Sequence, residues 1–213
     1  MKLVSPSDFG ADVGQAQQSA SVLKILDGAL RAINDLGARR LSMSDISEAS
    51  GVSRGTLYRY FSSKEDVLAA VSEFVCMSFE EGIRTAGEDI ADPVERFRVV
   101  MRFFAQFTNE RSPQRIFEIE SAFHLEFFRS HFCRHKAAVR AALGPVLDHF
   151  EMLKGEPIDR DGFVESLVRL QLSTLIVPAG EQWMHFWNSA PDTLEAWALK
   201  MADKSARIME RVN

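Results

Sequence analysis

Between Ser42 and Leu68 the chain carries three helix-start signals in close succession, which leaves room only for short helices joined by tight turns. Ser42-Met-Ser-Asp45 has capping-box spacing, Ile46 and Ala49 fall on one face behind it, and Gly51 suits the stop. Ser53 can cap a second short helix from Arg54 to about Tyr60. Ser62 with Glu65 can cap a longer one that starts at Ser63 and runs through Val67, Leu68 and Val71 to about Arg84. Upstream, Val22, Ile25, Leu26, Ala29, Leu30 and Ile33 recur at helical spacing, with Ser19 or Ser21 to open that helix and Gly37 to close it.

The remainder reads as long helices punctuated at Asp92-Pro93, Ser112-Pro113, Gly144-Pro145, Gly155 to Asp161 and Ala190-Pro191, with no competing strand pattern. The expected fold is therefore all α. Residues 1–18 are polar and aperiodic and are expected to form a mobile arm, residues 19–64 a helix-turn-helix domain, and residues 65–213 a helical body. Fourteen of the sixteen Phe follow residue 70, so the core of that body is aromatic. Apolar runs such as Leu172 to Val177 are far shorter than the roughly 20 residues that span a bilayer, and no signal-peptide core opens the chain, so a cytoplasmic protein without membrane contact is expected. Cys76 and Cys133 lie far apart and suggest neither a disulfide framework nor a zinc site.

A short helix, a Gly-containing turn and a second short helix are the arrangement whose second helix enters the DNA major groove. At about 100° per residue, Leu57 and Phe61 share the side that can pack on Ile46, Ala49 and Val52. Gly55, Thr56 and Arg59 face the opposite way, flanked by Arg54, Tyr58 and Tyr60. Gly55 allows close backbone approach, Arg59 can fork onto a guanine edge, and Arg54 and the hydroxyls suit phosphates, with Lys64 as a further cationic anchor. The formal charge of −5 does not oppose this, because Ala20 to Lys64 carries seven basic and four acidic residues and the deficit lies elsewhere.

The run GVSRGTLYRYFSSKEDVL, preceded by LSMSDISEAS, resembles the N-terminal domain of TetR-family transcriptional regulators, whose pattern is G-V-S-x-G-T-L-Y-x-Y-F-x-S-K-E. The likeness covers Leu41 to Leu68 closely; Ser47 and Ser50 stand where Ala is common. It implies a three-helix DNA-binding domain, a fourth helix leading out of it, and an all-helical C-terminal domain that dimerises and holds a ligand. Carried over by position, it makes Ser42, Ser44, Thr56, Tyr58, Tyr60 and Lys64 backbone contacts and Arg54, Gly55 and Arg59 base-side contacts. The expected function is a ligand-responsive repressor that binds a palindromic operator as a homodimer. An inducer-free DNA-binding factor, or an enzyme or adaptor that keeps the hairpin, stand as alternatives. No Ser-His-Asp order, glycine-rich phosphate loop or close carboxylate pair stands in a catalytic context, so neither enzymatic activity nor a cofactor is expected.

In the body, Phe79, Met101, Phe104, Phe107, Phe123, Phe127, Met152 and Trp183 are candidates to line a cavity for a small apolar or aromatic ligand, although each also suits an ordinary core. Two apolar stripes are expected to form the dimer seam: Phe163, Leu167, Leu170, Leu175 and Ile176, then Trp197 and Met201 behind a capping box at Asp192 to Glu195. His131, Cys133 and His135 have metal-pair spacing, but Arg129, Arg134 and Lys136 beside them oppose a cation.

Overall fold

The structure, a computed structural model, describes residues 13–111, 116–175, 177, 182–183, 185–190 and 192–193. The expected arm residues 1–12 and the expected interface positions Ile176, Trp197 and Met201 lie outside these. Among the described residues the helices run in the order α1 (Val13–Leu36), α2 (Met43–Ser50), α3 (Arg54–Tyr60), α4 (Lys64–Glu88), α5 (Pro93–Arg111), α6 (Ile116–Ala142), α7 (Gly144–Lys154) and α8 (Arg160–Ser173), and residues 185–190 are helical as well. The fold is all α, and no helix among the described residues is long and apolar enough to cross a membrane.

Two boundaries differ from the sequence reading. α1 begins at Val13, ahead of the expected Ser19 or Ser21. Its first turns lack an apolar period, yet Gln and Ala are good helix formers, and elongating an existing helix adds a hydrogen bond for each residue fixed. α4 is capped one residue later than expected, because Ser63 N donates to Asp66 Oδ2 (3.1 Å) and Asp66 N to Ser63 Oγ (3.1 Å). The Asp92-Pro93 signal holds: Asp92 Oδ1 accepts from Glu95 N at 2.6 Å and Pro93 opens α5, where its missing N–H is harmless.

The chain forms two compact units. One runs through Ser78 and takes in the part of α6 that ends at His131; the other begins at Phe79 and resumes at Phe132. The first unit closes on Ile25, Ala29 and Ile33 of α1, Ile46 of α2, Leu57 of α3 and Val67 and Val71 of α4, with Phe123 packed against them. The crossing of α1 and α2 is close because position 28 is glycine: a Cβ there would sit 2.5 Å from Ser50 N and 2.6 Å from Ser50 Cβ. Overpacking of this kind costs about 1–3 kcal/mol, against up to about 1 kcal/mol of helix propensity that Ala returns. Gly28→Ala should therefore lose on the order of 1 kcal/mol of stability. A urea melt showing it as stable as the parent would contradict the close crossing.

In the second unit Phe79 sits among Phe104 (5.1 Å between ring centroids), Phe107 (5.3 Å) and His135 (5.0 Å), all buried. Gln171, fully buried on α8, accepts on Oε1 from the indole N–H groups of Trp183 (2.9 Å) and Trp187 (2.7 Å), so one amide satisfies two indole donors. α7 and α8 are tied by Arg160, which pairs with Glu151 and with Asp148 (2.7 Å). The Arg160 guanidinium, helped by the Ile158 amide, holds the Glu151 carboxyl down to about 2. A depressed carboxyl contributes stability that is present above its ordinary value and lost as pH falls through the folded one. The acid limb of Tm between the ordinary 4.5 and about 2 should thus be shallower in Glu151→Gln than in the parent. Parallel curves would show that the pair contributes nothing.

Candidate nucleic-acid interface

The α2–turn–α3 pair is built by local side-chain chemistry. Ser42 has extended backbone and caps α2: its amide donates to Asp45 Oδ2 (2.8 Å) and its Oγ accepts from Asp45 N (3.3 Å). The same hydroxyl and amide hold the Asp45 carboxyl below the usual carboxylate range. Gly51 closes the helix at φ 67°, a left-handed turn that glycine enters without strain. Ser47 and Ser50 find their use here, since Ser47 Oγ donates to Val52 O across the turn (2.7 Å) and Ser50 Oγ to Ile46 O (2.6 Å). Arg31 of α1 donates to Ala49 O at 2.8 Å and so answers a carbonyl left open at the α2 C-terminus.

α3 starts at Ser53, whose Oγ accepts from Thr56 N at 3.1 Å and lies 2.9 Å from Thr56 Oγ1. Leu57 is the inward anchor at 0% exposure. Arg54, Gly55, Tyr58 and Arg59 are exposed and Tyr60 half-buried; Thr56, which helical spacing sets opposite the core, is also half-buried, with its hydroxyl against Ser53 Oγ. A Cβ on Gly55 would meet nothing closer than Ser53 Oγ at 3.9 Å, so the fold itself does not require glycine there. Ser44 lies in the first turn of α2, half-buried.

Two features escape a helical wheel. The Arg59 guanidinium stacks over the Tyr60 ring (4.8 Å to the centroid) and donates to the Tyr60 hydroxyl (3.0 Å), so the arginine is pre-oriented. Adjacent charged and aromatic residues are a signal for such stacking. Lys64, expected as a cationic anchor, is already engaged within the protein: its Nζ donates to Ala38 O (3.2 Å) and Arg39 O (3.3 Å).

The expected ligand-lining residues are divided between the two units. Phe79, Met101, Phe104 and Phe107 are buried in the second unit, whereas Phe123 packs on the core of the first and Phe127 pairs with Phe128 and His131. Trp183 is half-buried on Gln171. Met152 is 70% exposed and lines no interior of this subunit, because α7 buries Val146, Leu147 and Phe150 and position 152 turns about 200° away from 150. In the expected dimer stripe, Phe163 is half-buried against Phe150 and Leu167 is 8% exposed, so Leu167 belongs to the chain's own core with Val164, Val168 and Gln171. Leu170 is 40% exposed and Leu175 half-buried. His135 is buried, Cys133 is exposed, and His131 Nδ1 lies 2.8 Å from Phe127 O. Among the described residues no group of three or more His, Cys, Asp or Glu could hold a metal ion.

A three-helix unit with two short helices meeting at a left-handed glycine, the second exposing Arg and Tyr, is a helix-turn-helix domain. Residues 25–71 match the model of the tetR family of bacterial regulatory proteins. The HTH-type transcriptional regulator BetI of Rhizobium meliloti is 33% identical over 78 residues, 37% of this chain and 38% of that protein. The nucleoid occlusion factor SlmA of Vibrio campbellii is 34% identical over 77 residues, 36% and 39% of the two chains. The chain thus spans well under half the length of these curated relatives. The crystal structure of the TetR-family regulator PfmR of Thermus thermophilus superposes with a TM-score of 0.56 at 22% identity, covering 81% of this chain and 97% of that one, and shows the same fold. Over residues 25–71 the chain is thus similar to the tetR family of bacterial regulatory proteins.

Proposed function

We propose that this chain is a cytoplasmic, non-enzymatic repressor that binds a palindromic DNA operator as a homodimer and is released by a small, mostly apolar ligand. The observation that carries the reading is the exposed face of α3, where Arg54, Gly55, Tyr58 and a stacked Arg59 project from a helix anchored by Leu57. Ser42, Ser44, Thr56, Tyr60 and Lys64 surround that face in the roles proposed for backbone contacts or their support. The proposed dimer seam uses the outward side of α8 at Leu170, with Leu175 beside it. The buried Phe79, Met101, Phe104 and Phe107 supply apolar and aromatic walls but little to compensate a charged ligand.

Selection of bound sequences from a random duplex pool tests this reading. The expected product is a palindrome whose half-sites are spaced by about one helical turn, roughly 34 Å, or a multiple of it. Recovery of unenriched sequence would count against it. A second reading, a DNA-binding factor without an inducer, is favoured by the likeness to a nucleoid occlusion factor. The two part on linkage: an inducer must bind less tightly to the operator-bound protein by the same factor that it weakens operator binding, typically about 1–3 kcal/mol. Equal ligand affinity with and without operator duplex would select the inducer-free reading.

A further inference from the structure

The turn between α1 and α2 is held more firmly than a surface loop needs to be. Gly37, at φ 79°, donates its N–H to Ile33 O (2.9 Å), and Leu41 N returns to Gly37 O (3.2 Å). Ala38 and Leu41 are buried in the core of the first unit. Lys64, from the first turn of α4, grips the carbonyls of Ala38 and Arg39. Arg39 and Arg40 are the two exposed residues between these anchors. Arg40 stands two residues before Ser42, the cap of α2, and among the described residues no acidic side chain pairs with it. The nearest capping carboxylate, Asp45, is already held by the Ser42 amide and hydroxyl.

We infer that the Arg39–Arg40 turn is a DNA-backbone clamp, with Lys64 as the positioning residue that fixes it and not as the phosphate contact itself. This rests on the DNA-binding reading above. A guanidinium on a rigid turn suits bidentate phosphate contact and loses little freedom on binding. Two of the three Lys64 N–H groups are spent on backbone carbonyls, where a phosphate would have to displace an existing bond. The turn also lies within one lysine length of the α4 N-terminus, and Ser42, the α2 cap, follows it directly.

The test is the salt dependence of binding to a fluorescein-labelled duplex of mixed sequence, measured by anisotropy from about 50 to 200 mM NaCl. Removing one arginine–phosphate interaction from each subunit of the proposed homodimer should make the log–log slope shallower by about 1.8. Arg40→Ala should show that change, with Tm preserved because its side chain is exposed, and Arg39→Ala/Arg40→Ala should show at least as much. Lys64→Met added to the double variant should leave the slope where it is. A parental slope in Arg39→Ala/Arg40→Ala would overturn the inference while leaving DNA binding intact. So would a further drop of about 1.8 on adding Lys64→Met to the double variant, since that is the mark of a direct phosphate contact in each subunit. A parent chain with no salt-dependent duplex binding would instead sink the DNA-binding reading on which the inference rests.

Discussion

Leu57→Ala is expected to lower the unfolding free energy by about 2–5 kcal/mol, the range for truncating a fully buried leucine without collapse of the site. Leu57 is 0% exposed and is the one residue α3 commits wholly to the core of the first unit. α3 has seven residues, too few to be helical in isolation, so its position depends on that anchor together with the Ser53 cap. The loss should therefore exceed the roughly 1 kcal/mol expected for removing a cap by Ser53→Ala. Urea denaturation followed by far-UV circular dichroism measures both. A Leu57→Ala loss no larger than that of the cap would mean that α3 is held by something other than its buried side.

Arg59→Ala is expected to weaken binding to the selected operator by about 1–3 kcal/mol and to relax preference at one position in each half-site, because alanine cannot make a bidentate bond to a base edge. Binding to mixed-sequence duplex should change far less. The stacking of Arg59 on Tyr60 sharpens the expectation. Tyr60→Phe keeps the ring but removes the hydroxyl that accepts from Arg59, so it should fall between parent and Arg59→Ala in sequence preference. Competition titrations of operator against mixed-sequence duplex separate the terms. Equal losses on both DNAs would make Arg59 a backbone contact.

Much of the helix-turn-helix was legible because its determinants are local. Ser42, Gly51 and Ser53 act within a few residues of where they stand, and each cap or turn lies where its spacing put it. The inward side of α3 was legible for the same reason, since Leu57 follows from helical periodicity alone. Lys64 was not: its acceptors are 25 and 26 residues away in sequence, and no periodicity links a lysine to the carbonyls of another turn. In the second unit the stripe through Leu167 reads as outward from the sequence because apolar spacing marks a face without saying whether it packs within the chain or on a second copy. Gln171 gave no signal in the sequence, because its buried role depends on two indoles brought in from residues 183 and 187. Met152 shows the converse limit, an apolar residue on the exposed side of a helix whose other face fills the core.

The central claim, that the α2–turn–α3 face is where this protein meets DNA, is tested most directly by amide chemical-shift mapping of the full chain on addition of the selected duplex. The predicted result is perturbation concentrated at Ser42, Ser44 and the amides of 54–60, extending to Arg39 and Arg40, and absent for a single-stranded oligonucleotide of the same sequence. Shifts confined to residues outside the first unit, or equal shifts with the single strand, would contradict it.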